Sequence, residues 1–152
     1  MTATRAAPEI RRAGSRPARP RKLFVNVPVS DLQRSIRFFE ALGFTFNPQF
    51  TDHTAACMLV GEDAYVMLLT RDKFREFTPR PITDPRAQTG ALYSITADSR
   101  SDVDALVNAA LAAGGARAGE PQDHGFMYLA SFYDPDGHHW EVFWMDPNTI
   151  QG

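Results

Sequence analysis

One order of elements, used twice, constrains this 152-residue chain more than any other feature. The first use opens with the apolar run Leu23–Val29, which reads as a strand. Ser30-Asp31 follows as a helix start, with Ser30 as the N-cap. Leu32, Ile36, Phe39 and Leu42 then recur at helical spacing, and Gly43 ends the helix. Three strands are predicted next, over residues 44–50, 55–60 and 64–70. The second use begins with a strand over 91–96, followed by Asp98-Ser99-Arg100-Ser101 ahead of a helix. Val103, Leu106, Val107, Ala110 and Leu111 form its apolar stripe, and Gly114-Gly115 closes it. Strands are then predicted near 116–120, 127–133 and 138–144. Residues 71–89 carry Pro79, Pro81 and Pro85 and read as an irregular loop between the halves. A βαβββ unit repeated in this way implies two modules that complete each other's sheet. Each helix covers one face. The other face must curve around a ligand, a metal, a partner or its own side chains.

The last predicted strand carries the most chemistry. In Asp134-Pro-Asp-Gly-His-His-Trp-Glu-Val-Phe-Trp144, Pro135 pre-sets φ for a turn and Gly137 can take the positive φ that closes it. Side chains beyond the turn alternate, so His139, Glu141 and Phe143 share one face while Trp140, Val142 and Trp144 share the other. A carboxylate in so apolar a strand either faces solvent or needs a metal, hydrogen bonds or a polar ligand to compensate it. Both readings of Glu141 stand at this level.

Charge is distributed unevenly. Residues 1–22 hold seven basic side chains against one acid and carry +6, whereas the remaining 130 hold nine basic and seventeen acidic and carry −8. A folded part this acidic excludes a nucleic-acid partner, because phosphate contacts need clustered Lys and Arg. No apolar run approaches the roughly 20 residues of a membrane span, so no membrane partner is expected. Residues 1–21 are predicted to be a disordered basic tail, since they hold almost no aliphatic side chains to bury. They lack the apolar centre of a secretory signal. Residues 22–146 read as a single domain, with modules at about 22–70 and 90–146, and 147–152 as a C-terminal tail. Cys57 is the only cysteine and sits in an apolar run, as a small buried hydrophobe of a cytoplasmic protein would.

The stretch Val27-Pro-Val-Ser-Asp-Leu-Gln-Arg-Ser-Ile-Arg-Phe-Phe-Glu-Ala-Leu-Gly-Phe44 resembles the opening of the vicinal oxygen chelate superfamily. That group includes glyoxalase I, bleomycin-resistance proteins, fosfomycin-resistance enzymes and extradiol dioxygenases. Asp134-Pro-Asp-Gly-His-His-Trp-Glu141 resembles its closing motif, and the resemblance spans about residues 22–146. Phe126-Met-Tyr128 and Trp144-Met-Asp146 look like a glyoxalase-like branch of undefined substrate. The resemblance implies an α+β fold, two βαβββ modules forming a curved mixed sheet around a cavity, and a homodimer. Its metal-using members carry His or Glu on the first and last strands of each module. Those positions correspond here to Phe24, Met67, Gly90 and Glu141, so one of the four keeps a ligand. A divalent ion needs several oxygen or imidazole donors at once, and a thioether suits hard cations poorly. No cofactor is therefore expected. A relocated divalent-metal site would use Glu141 and His139, with Asn26 adding an oxygen.

By strand parity the predicted small-molecule site holds Phe24, Asn26, Met67, Leu69, Leu92, Ser94, Glu141 and Phe143, with Phe126 and Tyr128 at the rim. Apolar walls with a few polar groups describe a ligand site and a filled core equally well. Glu141 and the loop residue His124 are the candidate catalytic groups, because free imidazole titrates near neutral pH. His53 belongs to a hairpin turn at the surface. Three functions follow from the resemblance. The first is a binder of a small organic ligand without a tightly held metal. The second is a metal-dependent lyase, isomerase or dioxygenase acting on vicinal oxygens. The third is a binding-only drug-resistance protein. Deleting residues 1–21 is expected to leave the thermal melting midpoint unchanged, and a fall of several degrees would show that the tail contributes to the fold.

Overall fold

The computed structural model describes residues 18–148, so the tail predictions for 1–17 and 149–152 lie outside the described residues. The first module comprises β1 (Leu23–Val29), α1 (Leu32–Ala41), β2 (Thr45–Asn47), β3 (Ala55–Gly61) and β4 (Ala64–Thr70). A short α2 (Arg71–Arg75) leads out of it. The second comprises β5 (Leu92–Thr96), α3 (Arg100–Ala112), β6 (Ala116–Arg117), β7 (Gln122–Asp123), β8 (Met127–Tyr133) and β9 (His139–Met145). Hydrogen bonding divides the strands into two sheets, β1-β4-β3-β2 and β5-β9-β8-β6, with β7 alongside β8. The repeat is exact in sense: β1 runs parallel to β4, β5 runs parallel to β9, and the other pairs are antiparallel. No helix among the described residues is long and apolar enough to cross a membrane.

Four local expectations need correction. Asp31, not Ser30, caps α1, with its carboxylate accepting from the Arg34 amide at 3.1 Å. The strand expected over 44–50 ends at Asn47, because Pro48 cannot donate to a ladder and starts a 3-10 turn over Pro48–Phe50. The loop expected over 71–89 begins with a helical turn, capped by the Thr70 hydroxyl on the Lys73 amide. The strand expected over 116–120 is shorter, and β7 follows it.

A single core joins the helix-facing sides of both modules. Val27, Val29, Leu68, Trp140 and Val142 are fully or almost fully buried in it. Phe39 of α1 meets Trp140 of the second module at 5.0 Å between ring centres, and Phe38 meets Phe132 at 6.0 Å. Burying aromatics across the two modules stabilises their pairing beyond what either sheet provides alone.

The closing turn clasps this arrangement. Gly137 takes φ +97° and donates its amide to Asp134 carbonyl, so residues 134–137 form the expected turn. Asp134 is 5% exposed and accepts from the amides of Asp136 and His138, each at 3.0 Å, and from the Trp140 indole at 3.1 Å. Asp136 reaches the other module: one carboxylate oxygen accepts from the Ser30 amide at 2.8 Å and from its hydroxyl at 2.6 Å. His138 Nε2 lies 2.7 Å from the Pro28 carbonyl, to which it donates in the Nε2–H tautomer.

Desolvation pushes the Asp134 carboxyl above the usual carboxylate value, against the opposing pull of His138 and the Trp140 and His138 hydrogen bonds. A carboxyl raised in the folded state contributes stability that is fully present below its unfolded pKa and is lost as pH rises through the folded pKa. Urea unfolding of wild type and Asp134→Asn is therefore expected to show a difference, wild type minus variant, that increases from neutral pH to about pH 4. A difference that shrinks on acidification would contradict this.

Candidate functional site

The burial of Trp140 and Val142 forces their neighbours His139, Glu141 and Phe143 onto the face of the second sheet that carries no helix, where they are half-buried. Register places Ser94 of β5 on one side of Glu141 and Ser131 of β8 on the other. The Ser94 hydroxyl donates to Glu141 Oε2 at 2.8 Å. Leu129 and Tyr133 flank Phe143 and His139 in the same ladder. Leu92 completes the face beside His139 and is 54% exposed. This is a carboxylate–hydroxyl pair within an apolar surface, suited to a ligand that offers a hydrogen-bond donor.

The corresponding face of the first sheet carries Phe24, Asn26 and Met67. Phe24 stacks on Tyr65 at 4.6 Å between ring centres, and Asn26 sits beside Met67 in register. Leu69, expected to face the site, is buried where α2 lies against β4. Phe24 remains 48% exposed.

A metal of the kind the resemblance implies does not fit these residues. Phe24 and Gly90 supply no side-chain donor, Met67 supplies only a thioether, and one Glu141 oxygen already accepts from Ser94. His139 shares the Glu141 face, and its Nε2 is buried without a hydrogen-bond partner. Its ring meets Tyr133 edge-on at 5.3 Å. Two donors do not make a site for a divalent ion. Among the described residues no three His, Cys, Asp or Glu side chains converge.

Tyr128 and Phe126 do not share this face. Alternation with Ala130 and Phe132, both buried in the core, turns Tyr128 towards α3. Its hydroxyl donates to Asp104 at 2.6 Å, which pushes the phenol above its usual value. Arg100 lies over the Tyr128 and Trp144 rings at 5.5 and 5.2 Å, pairs with Asp123 and donates to the Gly125 carbonyl at 2.8 Å. The Asp123 carboxyl is held below its usual range, chiefly by that Arg100 hydrogen bond. His124 thus sits in an anchored exposed turn, its Nε2 3.3 Å from Gln122 Oε1. Burial pushes the Cys57 thiol up, as an inert core cysteine requires. Sequence reasoning missed Leu129, Ser131 and Tyr133. The signal that finds them is the pairing of β8 with Glu141 across the short 134–137 turn.

The family model for the Glyoxalase/Bleomycin resistance protein/Dioxygenase superfamily matches residues 23–142. No curated protein matches the chain. Among solved structures, a hypothetical protein from S. aureus is 30% identical with a TM-score of 0.70, covering 82% of this chain and 94% of that one. A glyoxalase-related enzyme from Fulvimarina pelagi is 20% identical with a TM-score of 0.67, covering 79% and 84%. A fosfomycin resistance protein from Mesorhizobium loti is 18% identical with a TM-score of 0.56, covering 79% and 86%. The last two likenesses concern the fold alone.

Proposed function

The chain belongs to the glyoxalase/bleomycin resistance protein/dioxygenase superfamily, and on that footing we propose that it binds a small organic ligand on its helix-free sheet faces without a tightly held metal. The Ser94–Glu141 hydrogen bond carries this reading: the one retained carboxylate is compensated by a hydroxyl. Leu92 and Phe143 supply apolar surface beside it, and Phe24, Asn26 and Met67 supply the matching face of the first module. The ligand this chemistry recognises has an apolar body and a hydroxyl, amine or ammonium group for Glu141. A homodimer is part of the proposal, because Leu23, Phe24 and Leu92 are large, apolar and 48–61% exposed in a single copy.

Glyoxalase I chemistry is not favoured. It moves a proton between neighbouring carbons and needs a metal to stabilise the enediolate beside the base. Glu141 can act as a base, but Phe24, Met67 and Gly90 bring no ligand to hold an ion next to it. Calorimetric titration of Ni²⁺, Zn²⁺, Mn²⁺ and Fe²⁺ into wild type and Glu141→Ala tests this directly, with a methylglyoxal–glutathione assay on the same samples. No tight Glu141-dependent binding and no Glu141-dependent turnover are expected. A micromolar metal site abolished by Glu141→Ala would overturn the binding reading in favour of a metal-dependent lyase, isomerase or dioxygenase.

A further inference from the structure

The segment after α2 folds back over the closing turn and roofs a cleft that the Glu141 face does not use. Within residues 77–90 the hydrogen bonds are local. The Arg80 amide donates to Thr78, the Arg86 amide to the Asp84 side chain, and the Ala87 and Gln88 amides to the Asp84 carbonyl. One bond ties the segment to the second module, from the Arg86 guanidinium to the Pro135 carbonyl at 2.7 Å. Gly137 permits this approach, since a Cβ there would meet Arg86 atoms at 3.0–3.3 Å.

The cleft beneath has a volume of about 320 Å³ and takes its walls from three regions: β1, the roofing segment and the start of β9. Its apolar surface comes from Phe74, Pro81, Ile82 and Pro85. Its polar surface comes from Asn26, Thr83, Gln88 and Thr89, none of which directs a side-chain hydrogen bond to another described residue. No Asp, Glu, Lys or Arg lines it. A charged guest would find no counter-ion there, whereas an uncharged one would meet four free donors and acceptors against apolar walls.

We propose that this cleft is a second binding site, for an uncharged organic molecule of on the order of ten non-hydrogen atoms bearing a carboxamide, carbonyl or hydroxyl group. The size follows from the cleft volume and the roughly 30 Å³ that a water-sized group occupies. The polarity separates this site from the Glu141 face, whose carboxylate favours a donor or a cation. Asn26 and Thr89 approach the guest from opposite sides of the chain, β1 and the roof, so binding links the loosely tied segment to the first module.

Three compounds of nearly equal shape test this: benzamide, benzoate and benzamidinium, titrated into ¹⁵N-labelled full-length protein. Benzamide is expected to give saturable shifts at Thr83, Gln88, Thr89, Gly90 and Asn26, with the two ions about tenfold weaker at these amides, as the loss of one good interaction gives. Thr89→Val and Asn26→Leu are each expected to weaken benzamide about tenfold. Thr89 is exposed in the roof, so its variant keeps the fold even if the β1 change does not. Absence of saturable benzamide shifts, or equal binding of the ions at these amides, would overturn the proposal. Benzamide shifts centred on Ser94 and Glu141 would also overturn it while supporting the ligand site on the sheet face.

Discussion

The buried carboxylate of Asp136 bridges parts of the chain 106 residues apart, and the placement of every candidate site residue depends on it. Its two partners on Ser30 fix where β1 ends and α1 begins, and Ser35 on α1 approaches its other oxygen at 3.4 Å. Asp134 organises the same turn from within. Hydrogen bonds to charged groups each contribute about 1.5–3 kcal/mol when both partners are removed from water, so this cluster ranks with the apolar contacts around it. β9 starts immediately beyond, and its register presents Trp140 and Val142 to the core and Glu141 to the opposite face.

Polar clasp and aromatic core reinforce each other. The clasp brings the first turn of α1 to the second module, and Phe38 and Phe39 then pack on Phe132 and Trp140. With the helix-facing sides of both sheets committed to this core, the faces carrying Phe24, Met67, Ser94 and Glu141 are left without helical cover. Those faces are where chemistry can be placed without disturbing the fold. Related proteins can therefore share this scaffold and differ in what it holds, because fold does not determine chemistry.

Much of the scaffold was legible in the sequence. β1, β4 and β8 run where their apolar patterns end, and both helices stop at the expected glycines. The errors have physical causes. A proline inside an extended-looking stretch ended β2 early, and Phe74 gave a five-residue helix too little periodicity to be read. Ser30 has the chemistry of an N-cap, yet its hydroxyl is engaged by Asp136, a partner that no local pattern reveals. On the site, Ser94 and Glu141 were both read onto the inner face, and the structure joins them by a hydrogen bond. Tyr128 was placed on the wrong side, because its alternation with buried Ala130 and Phe132 outweighs its position near the strand end. The unengaged polar side chains under the 77–90 roof were invisible for the same reason as Asp136: they converge only after the modules pair.

A double-mutant cycle on Ser30→Ala and Asp136→Ala, read by urea unfolding at neutral pH, tests the clasp most directly. If this bridge couples the modules, the two changes are non-additive, with a coupling energy of about 1–3 kcal/mol. Additive effects within about 0.5 kcal/mol would show that the bridge does not hold the modules together, and that the aromatic core alone positions the Glu141 face.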